Sequence, residues 1–521
     1  MTKLFWNRPW PLSITAGVLL GLSFPPFDIA VAQIPAFIFL LRTTELSHSS
    51  RQVVYYLYPS FILWNIITTY WLTFATVAGG IAAILANSLL MVIPFLFIRK
   101  LLLKEIKPYF SGLLIACLWV AYEFLHHNWD LAWTWLALGN GWSNFPGIIQ
   151  FISITGYLGI SFWITFSSAL FYHSIQKFST PVFFQGIIVF LIFPFFSIIS
   201  LLFYSDDEQA EPVEVAVIQP NLDSYENLGG YNSFTELLTA HLEISDSVRT
   251  ENTSVIIWPE NALETALTLQ SSAGDRIKDS LAIWNTSLIT GSGYVKYYME
   301  NEAPPLTRGV GRSGPYNVYN AAFHFKPGKP NNVYEKGRLV PIVEGFPFVN
   351  FFHSIDKTGW IDWSSLMGYD KGSEATLFDI NGFKTPALIC YDSVFPGWVR
   401  QFVNNGADFI TIITNDGWWG NTSGHIQHFA YARLRAIEFR RWIVRSANNG
   451  ISGIIAPDGS VHVETDYWVR TGFTFNIYPS DKKTFYALYG DWFNWLMVAG
   501  AFAGIFISFF NKSTNGYWKT P

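Results

Sequence analysis

Hydrophobic and polar positions divide the chain into two regimes. Residues 10–204 are apolar almost without interruption, whereas 205–490 alternates short apolar runs with polar ones, as globular sequences do. Crossing a bilayer takes about 17–25 apolar residues as helix. Runs of this kind are predicted near 10–27, 29–41, 53–75, 79–98, 109–126, 155–174 and 181–204, with one more near 492–510. The second is short, and Pro25 and Pro26 blur its boundary with the first. A single N-terminal run could be a cleaved signal, but a succession of them cannot.

The middle regime reads as an α+β layered domain. Strands are expected at Val213–Gln219, Ser254–Trp258, Ser287–Val295, Thr385–Cys390, Phe409–Thr414 and Val444–Ile455. Tyr319–Phe325 and Asn332–Lys336 flank Lys-Pro-Gly-Lys-Pro, a turn signal, and so predict a hairpin. Amphipathic helices are expected over Ser233–Val248 and His425–Arg441. The chain thus divides into three units: a seven-helix membrane domain over 1–204, a globular domain over 205–490, and a final span with a short tail over 491–521.

Charge then orients the chain. Only 14% of residues are charged, against about 25% in soluble domains, and the deficit lies in the apolar regime. Lys3, Arg8, Arg42, Arg51, Arg99, Lys100, Lys104, Lys107, Lys177, Lys512 and Lys519 fall in alternate short loops, while the loops around 28, around 77 and across 127–154 lack Lys and Arg. Basic loops stay cytoplasmic. Both termini are therefore expected in the cytoplasm, with 205–490 outside. The net charge of −5 gives no sign of nucleic-acid binding. The Trp-rich loop 127–154 suits the headgroup layer, either as an anchor or as one wall of a lipid entry.

Cysteine is the informative rarity. Cys117 sits within an apolar run and Cys390 at the end of Ala-Leu-Ile, so the two are poor disulfide partners. A lone thiol in an oxidising compartment is a liability unless it is used. Two other strand ends carry reactive groups: Glu260 after Ile-Ile-Trp-Pro, and Lys336 after Val-Tyr-Glu. Together the three supply a base, a cation and a nucleophile, the minimum for acyl transfer through a thioester. No metal or other cofactor is expected. His425 and His428 lie three apart on a helix and are assigned a surface or packing role.

Several ordered motifs add to this. Trp-Pro-Glu-Asn-Ala (258–262), Lys-Gly-Arg-Leu-Val-Pro-Ile-Val-Glu (336–344), Ile-Cys-Tyr-Asp (389–392), Thr-Asn-Asp-Gly-Trp-Trp-Gly (414–420), residues 427–438 and Arg-Ser-Ala-Asn-Asn-Gly-Ile-Ser (445–452) succeed one another along the chain. In these the sequence resembles the nitrilase superfamily and, within it, the apolipoprotein N-acyltransferase family. The resemblance implies a nitrilase-like αββα sandwich inserted before the last span of an eight-helix transmembrane bundle. It implies a Glu260–Lys336–Cys390 triad in a bacterial inner-membrane enzyme whose catalytic domain is periplasmic. Such an enzyme takes an acyl chain from a phospholipid onto Cys390. It then passes the chain to the α-amino group of a diacylglyceryl-cysteine lipoprotein, with Lys336 and a backbone N–H near Tyr391 holding the oxyanion. A monomer is expected, with no nucleic-acid partner.

Two departures stand out: Asp392 where the family usually has Glu, and Ile342-Val343-Glu344 where it commonly has Phe-Gly-Glu. Glu344 is read either as tuning the triad or as an ordinary salt bridge, and Asp392 as orienting Lys336. Trp258, Trp418 and Trp419 are candidates for the acyl pocket. Residues 345–370, rich in Phe346, Phe348, Phe351, Phe352, Trp360 and Trp363, are expected to form a lid dipping into the outer leaflet. The rival readings are a membrane-tethered amidase acting on a small soluble substrate, and a transporter, for which the intramembrane Glu123 would matter.

Overall fold

The computed structural model describes residues 3–204 and 211–510. The expected linker near 205 and the tail carrying Lys512 and Lys519 lie outside the described residues. Helices occupy the apolar regime: α1 (Pro9–Leu22), α2 (Gln33–Leu46), α3 (Ser50–Thr69), α4 (Val77–Leu102), α5 (Pro108–His126), α6 (Leu158–Lys177) and α7 (Thr180–Leu202). Among the described residues, α4, α5, α6, α7 and the C-terminal helix are long and apolar enough to cross a membrane. Leu40, Phe61, Trp64, Phe95, Trp119 and Ile164 fill the interior of this bundle. Its outer face is also apolar, with Ile81, Leu89, Phe184, Ile188 and Phe195 exposed, an arrangement suited to lipid rather than water.

Two expected boundaries move. The first helix stops at Leu22, short of the Pro25-Pro26 pair that lacks two backbone donors. The third stops at Thr69, and Leu72–Ala75 forms a separate short turn. The break is anchored by Trp71, fully buried, whose indole N–H reaches Thr68 O and Gln427 Oε1.

The remaining chain builds β1 (Val213–Gln219), α8 (Phe234–Val248), β2 (Thr253–Ile257), α9 (Ser272–Trp284), β3 (Ser287–Tyr297), β4 (Gly314–Phe325), β5 (Asn332–Glu335), β6 (Ala387–Ile389), α10 (Pro396–Asn404), β7 (Ile410–Thr414), α11 (Ser423–Phe439), β8 (Ile443–Ala447), β9 (Gly453–Ile455), β10 (Val461–Glu464), β11 (Thr471–Ile477) and α12 (Trp492–Phe510). One sheet has the order β11-β1-β2-β3-β4, with β5 pairing β4. The other runs β6-β7-β8-β9-β10. In the first, three central strands are parallel and the flanking strands antiparallel. In the second, the parallel strands β6, β7 and β8 lie at one edge, and β9 and β10 follow antiparallel.

The period of two along β1 explains the layering. Val213, Val215 and Val217 point into the core shared with Leu388, Ile410 and Ile412 of the second sheet. Ala216 and Ile218 point the other way, beneath Leu238 of α8, with Ile277 and Leu281 of α9 in the same layer. Val399 and Phe402 of α10 and Ala430 of α11 cover the second sheet. The result is an αββα sandwich.

Two expected strands are split. Pro386 interrupts Thr385–Cys390, so only Ala387–Ile389 joins the sheet. Val444–Ile455 is two antiparallel strands, because Asn448-Asn449-Gly450 turns the chain between β8 and β9.

Candidate active site

Brief parallel strands buried on both faces end abruptly, and the residues just beyond their ends collect on one side of the sandwich. Glu260 lies just beyond β2, Cys390 directly after β6, and Asn415 and Asp416 after β7. Lys336 comes immediately after the hairpin strand β5. Gly291 of β3 passes so close to the glutamate segment that an added Cβ would lie 2.5 Å from Glu260 Cα, so only glycine fits.

Glu260 is nearly fully buried and every oxygen is held. Its Oε1 accepts from Asn320 Nδ2 at 2.8 Å and from Lys336 Nζ at 3.4 Å, and its Oε2 from the Asn415 N–H at 2.9 Å. Lys336, also buried, donates to Glu344 Oε1 at 2.7 Å. Asn320 Nδ2 reaches that same oxygen at 2.9 Å, and the Val340 N–H donates to Glu344 Oε2 at 2.8 Å. Glu344 is therefore a direct partner of the lysine, and Asn320 bridges the two carboxylates.

The electrostatics arise from burial. Removal from water raises the Glu260 pKa above 4.5, and Glu344 pushes the same way against the pull of Lys336. Burial works against charge on Lys336, yet Glu260 and Glu344 prevail and hold it firmly protonated. The Cys390 thiol is pushed well up by burial and by Glu260, opposed by Lys336 and Thr414. The resting sulfur is therefore a thiol, so a proton must move before it attacks. Cys390 has φ +46°, a left-handed conformation costing about 1–3 kcal/mol for a residue with a Cβ. It opens a short helical turn, Cys390–Val394, whose first N–H groups have no partner within the turn.

Asp392 does not orient Lys336 by a hydrogen bond. It is fully buried and fastens three other groups: the Tyr334 hydroxyl at 2.8 Å, the Arg338 N–H at 2.7 Å and the Ile389 N–H at 3.1 Å. Burial raises its pKa to about 6. A carboxylate here ties the lysine loop to the cysteine turn. Tyr391 ties the same turn to the Trp-rich segment, its hydroxyl donating to Ala132 O at 2.9 Å. In the lysine loop the backbone strain falls on Ile342, at φ +71°, and the next glycine along the chain is Gly345.

The aromatic candidates separate into three groups. Trp258 is not at the site: it is buried beneath α8, its indole N–H donating to Ser245 Oγ at 2.8 Å, because it lies on the outer face of the first sheet. Trp419 packs on Trp71 and Trp135 at 4.7 and 5.8 Å and on His428 at 5.7 Å. Trp418 is exposed beside Tyr225. Phe346, Phe352 and Trp363 cluster with one another, and Trp360 is 90% exposed. This segment contains two short helices, Val349–Ile355 and Trp363–Leu366.

The aromatic segment touches the helical bundle where the Phe348 N–H meets Asp130 Oδ2 at 3.0 Å and its ring meets Trp129 at 6.4 Å. Trp129 also closes one end of an apolar groove of about 340 Å³ between α4, α5 and α12, lined by Ile93, Phe97, Tyr122, Leu125 and Phe502 among others. Glu123 faces inward and accepts from Trp119 Nε1 and the Leu138 N–H, both at 2.9 Å, which pins the Trp-rich segment to α5.

Sequence reasoning passed over a second buried cluster. Asp416 Oδ2 takes Arg445 Nη2 at 2.7 Å, Asp416 Oδ1 takes Thr414 Oγ1 at 2.8 Å, and His428 Nδ1 lies 2.9 Å from Asp416 Oδ1. His428 is buried and faces Cys390, not the surface. Its signal was an Arg and an Asp set in apolar strand and turn, where an unpaired charge is costly. Cys390 Sγ, an Asp416 oxygen and a His428 nitrogen lie within 4.8 Å of one another, the spacing of a metal site. Arg445 already places a fixed cation beside the aspartate and the histidine. The donor set therefore fits an ion-pair core better than a bound metal.

Comparison with known proteins bears on this geometry. Residues 16–170 match the model described as apolipoprotein N-acyltransferase N-terminal domain, and 214–480 match carbon-nitrogen hydrolase. An apolipoprotein N-acyltransferase of Chlorobaculum tepidum is 31% identical, covering 93% of each chain. Apolipoprotein N-acyltransferase 2 of Treponema denticola is 26% identical over 88% of this chain and 89% of its own. The Geobacter metallireducens protein of that name is 26% identical over 97% and 96%.

Proposed function

The chain belongs to the apolipoprotein N-acyltransferase family, and from that premise we propose that it acylates the N-terminal cysteine of lipoproteins through a Cys390 thioester. Glu260 takes the thiol proton as general base. Sulfur attacks the ester carbonyl of a phospholipid, and Lys336 with the Tyr391 N–H stabilises the oxyanion. The ester C–O bond breaks, Glu260 returns the proton to the departing oxygen, and lysophospholipid leaves. The α-amino group of a diacylglyceryl-cysteine then attacks the thioester. An amide forms, the C–S bond breaks, and the amine proton passes by way of Glu260 to the thiol.

The observation that carries this reading is the fully buried Lys336, held between Glu260 and Glu344 in the field of the Cys390 thiol. Glu344 keeps the cation in place, so the charge needed by the oxyanion is present before substrate binds. The membrane organisation belongs to the same reading: helices over 1–204 and 491–510 span the inner membrane, both termini are cytoplasmic, and 205–490 is periplasmic. A site fed by lipid needs a lateral entrance. The exposed Phe351, Ile355 and Trp360 supply a surface that inserts into the outer leaflet, and the groove ending at Trp129 supplies a track for an acyl chain. The amidase alternative is not favoured, since the full-length matches are to N-acyltransferases.

The test is intact-mass spectrometry of the purified protein mixed with a phospholipid of defined chains, beside Cys390→Ser. One acyl mass added to the wild type, removed by hydroxylamine and accompanied by lysophospholipid, is the expected result. Unmodified protein that remains folded would reject phospholipid as the donor.

A further inference from the structure

The peptide joining Cys390 to Tyr391 has an unusual environment on its carbonyl side. Cys390 O accepts from Ser393 Oγ at 2.7 Å and lies 3.3 Å from His428 Nε2. His428 does not stand alone. Arg445 Nη2 lies 3.0 Å from its Nδ1 and donates to Asp416 Oδ2. Arginine can only donate. Nδ1 also lies 2.9 Å from Asp416 Oδ1, which can only accept, so it stands between a donor and an acceptor. It is the Cys390 carbonyl, an obligate acceptor, that places a ring proton on Nε2 for the 3.3 Å contact. Asp416 fixes the guanidinium, and Arg445 Nε is fastened to Ile451 O at 3.0 Å. All three members of the chain are fully buried, so none can relax toward water.

We propose that His428 is a positioning residue which, set by Arg445 and Asp416, polarises the Cys390–Tyr391 peptide and so strengthens the Tyr391 N–H as a donor to the oxyanion. This deepens the thioester reading and rests on it. A donor on the carbonyl of an amide draws electron density from its nitrogen and makes the N–H more acidic, the cooperative effect known in hydrogen-bonded chains. The same contact steadies the left-handed Cys390, because the carbonyl that the strained φ turns inward finds two donors there. His428 is not the base. Its Nε2 is engaged with the Cys390 carbonyl and with Ser393 Oγ, each at 3.3 Å, and in the proposed mechanism Glu260 supplies the proton acceptor.

The experiment reads the acyl-enzyme carbonyl directly. Infrared difference spectra are taken with ¹³C-labelled acyl groups delivered from a phospholipid and, separately, from an activated p-nitrophenyl ester of the same acid. Wild type is compared with His428→Leu, His428→Gln and Ser393→Ala. A thioester C=O stretch that rises in frequency in His428→Leu is expected, with an acylation rate at saturating donor about ten-fold lower and an unchanged KM. The His428→Gln amide N–H should restore most of both, and Ser393→Ala should give a smaller change in the same direction.

An unshifted stretch and an unaltered rate in folded His428→Leu would overturn the proposal. So would a rate loss that His428→Gln leaves unrepaired while the stretch stays constant. Should His428→Leu not fold, His428→Gln and Ser393→Ala carry the same readout, and a constant stretch in both overturns it. Wild-type thioester from the activated ester but none from phospholipid would reject the lipid donor while the stretch still decides the role of His428.

Discussion

The two cysteines occupy regions built on opposite principles. Both are buried, at 3% and 8% exposure, so burial does not distinguish them. Cys117 lies mid-helix in α5, its sulfur 3.7 Å from the Met497 sulfur of α12, with apolar side chains around it. Cys390 ends a strand in a strained conformation, with a lysine, two carboxylates and a histidine gathered near it. The helical bundle packs its sulfur among apolar side chains and commits Glu123 of the same helix to Trp119 and the Leu138 N–H. The sheet end has collected its titratable groups at a cost in backbone strain and desolvated charge. In the proposed mechanism, reactivity is therefore a property of the partners that the fold delivers, not of being hidden from water.

The sharpest way to break that contrast is to delete each sulfur. Cys390→Ala should abolish acyl-enzyme and product, a loss on the order of 10⁵-fold in kcat. Cys117→Ala should leave the rate within about two-fold, since Ala preserves the helix and removes only a packing atom. Acyl transfer to a dansylated lipopeptide measures both. Thioester on Cys117 in the Cys390→Ala protein would end the comparison.

Next in size is the cation. Lys336→Met keeps the length and loses the charge, leaving Glu260 and Glu344 facing each other across the gap. Acylation should fall about 10²–10³-fold, the range for losing an oxyanion donor. The carboxylate pair should then retain a proton, seen as an acid limb moved to higher pH. A variant with near-normal kcat would mean that Lys336 only balances charge.

A gentler change acts through pH alone. In the proposed mechanism the Glu260 carboxylate must be ionised to accept the thiol proton, and burial with Glu344 sets its pKa above the ordinary 4.5. Its active form is therefore lost as pH falls through that raised value. Glu344→Gln removes one of the two upward pushes, so the acid limb of the acylation rate should move to lower pH. The plateau should drop only about ten-fold, because Lys336 keeps Glu260 as its remaining anionic partner. A limb that stays in place would assign it to another group, and Asp392, at about 6, is the first alternative.

How much of this contrast was legible beforehand depends on the range of the forces involved. Ile-Ile-Trp-Pro-Glu, Val-Tyr-Glu-Lys and Ala-Leu-Ile-Cys announced strand ends, because apolar runs stopped at a reactive group, and the structure brings these three ends together. Val213–Gln219 was likewise legible as a strand, and it forms β1 with the same bounds. Asn320 was hidden, since nothing in Val-Tyr-Asn-Ala says that the hairpin will lay its amide between Glu260 and Glu344. Trp258 misled for the converse reason: proximity in sequence to Glu260 put it near the site, but alternation across the sheet sent its ring to the opposite face. His428 was read as a surface or packing residue because its partners, Asp416 and Arg445, come from two strand segments that only the folded sheet aligns.

The smallest effect on catalysis is expected where the bundle is tightest. Gly500 of α12 faces Cys117 so closely that an added Cβ would stand 2.5 Å from its sulfur and 3.1 Å from its Cβ. Gly500→Ala must therefore push the two helices apart or force the thiol off its rotamer, an overpacking cost of about 1–3 kcal/mol. If Cys117 is only a packing atom, that cost should appear as a lower melting temperature in detergent with acyl transfer per folded molecule unchanged. The double variant Gly500→Ala/Cys117→Ala removes the sulfur that the new methyl would strike. It should recover most of the loss, giving a coupling energy of the size expected for side chains in direct contact. A double variant no more stable than Gly500→Ala would place the strain elsewhere on α12. A fall in the rate of the folded single variant would show that the bundle around Cys117 transmits to the site, and that the two regions are less separate than their chemistry makes them.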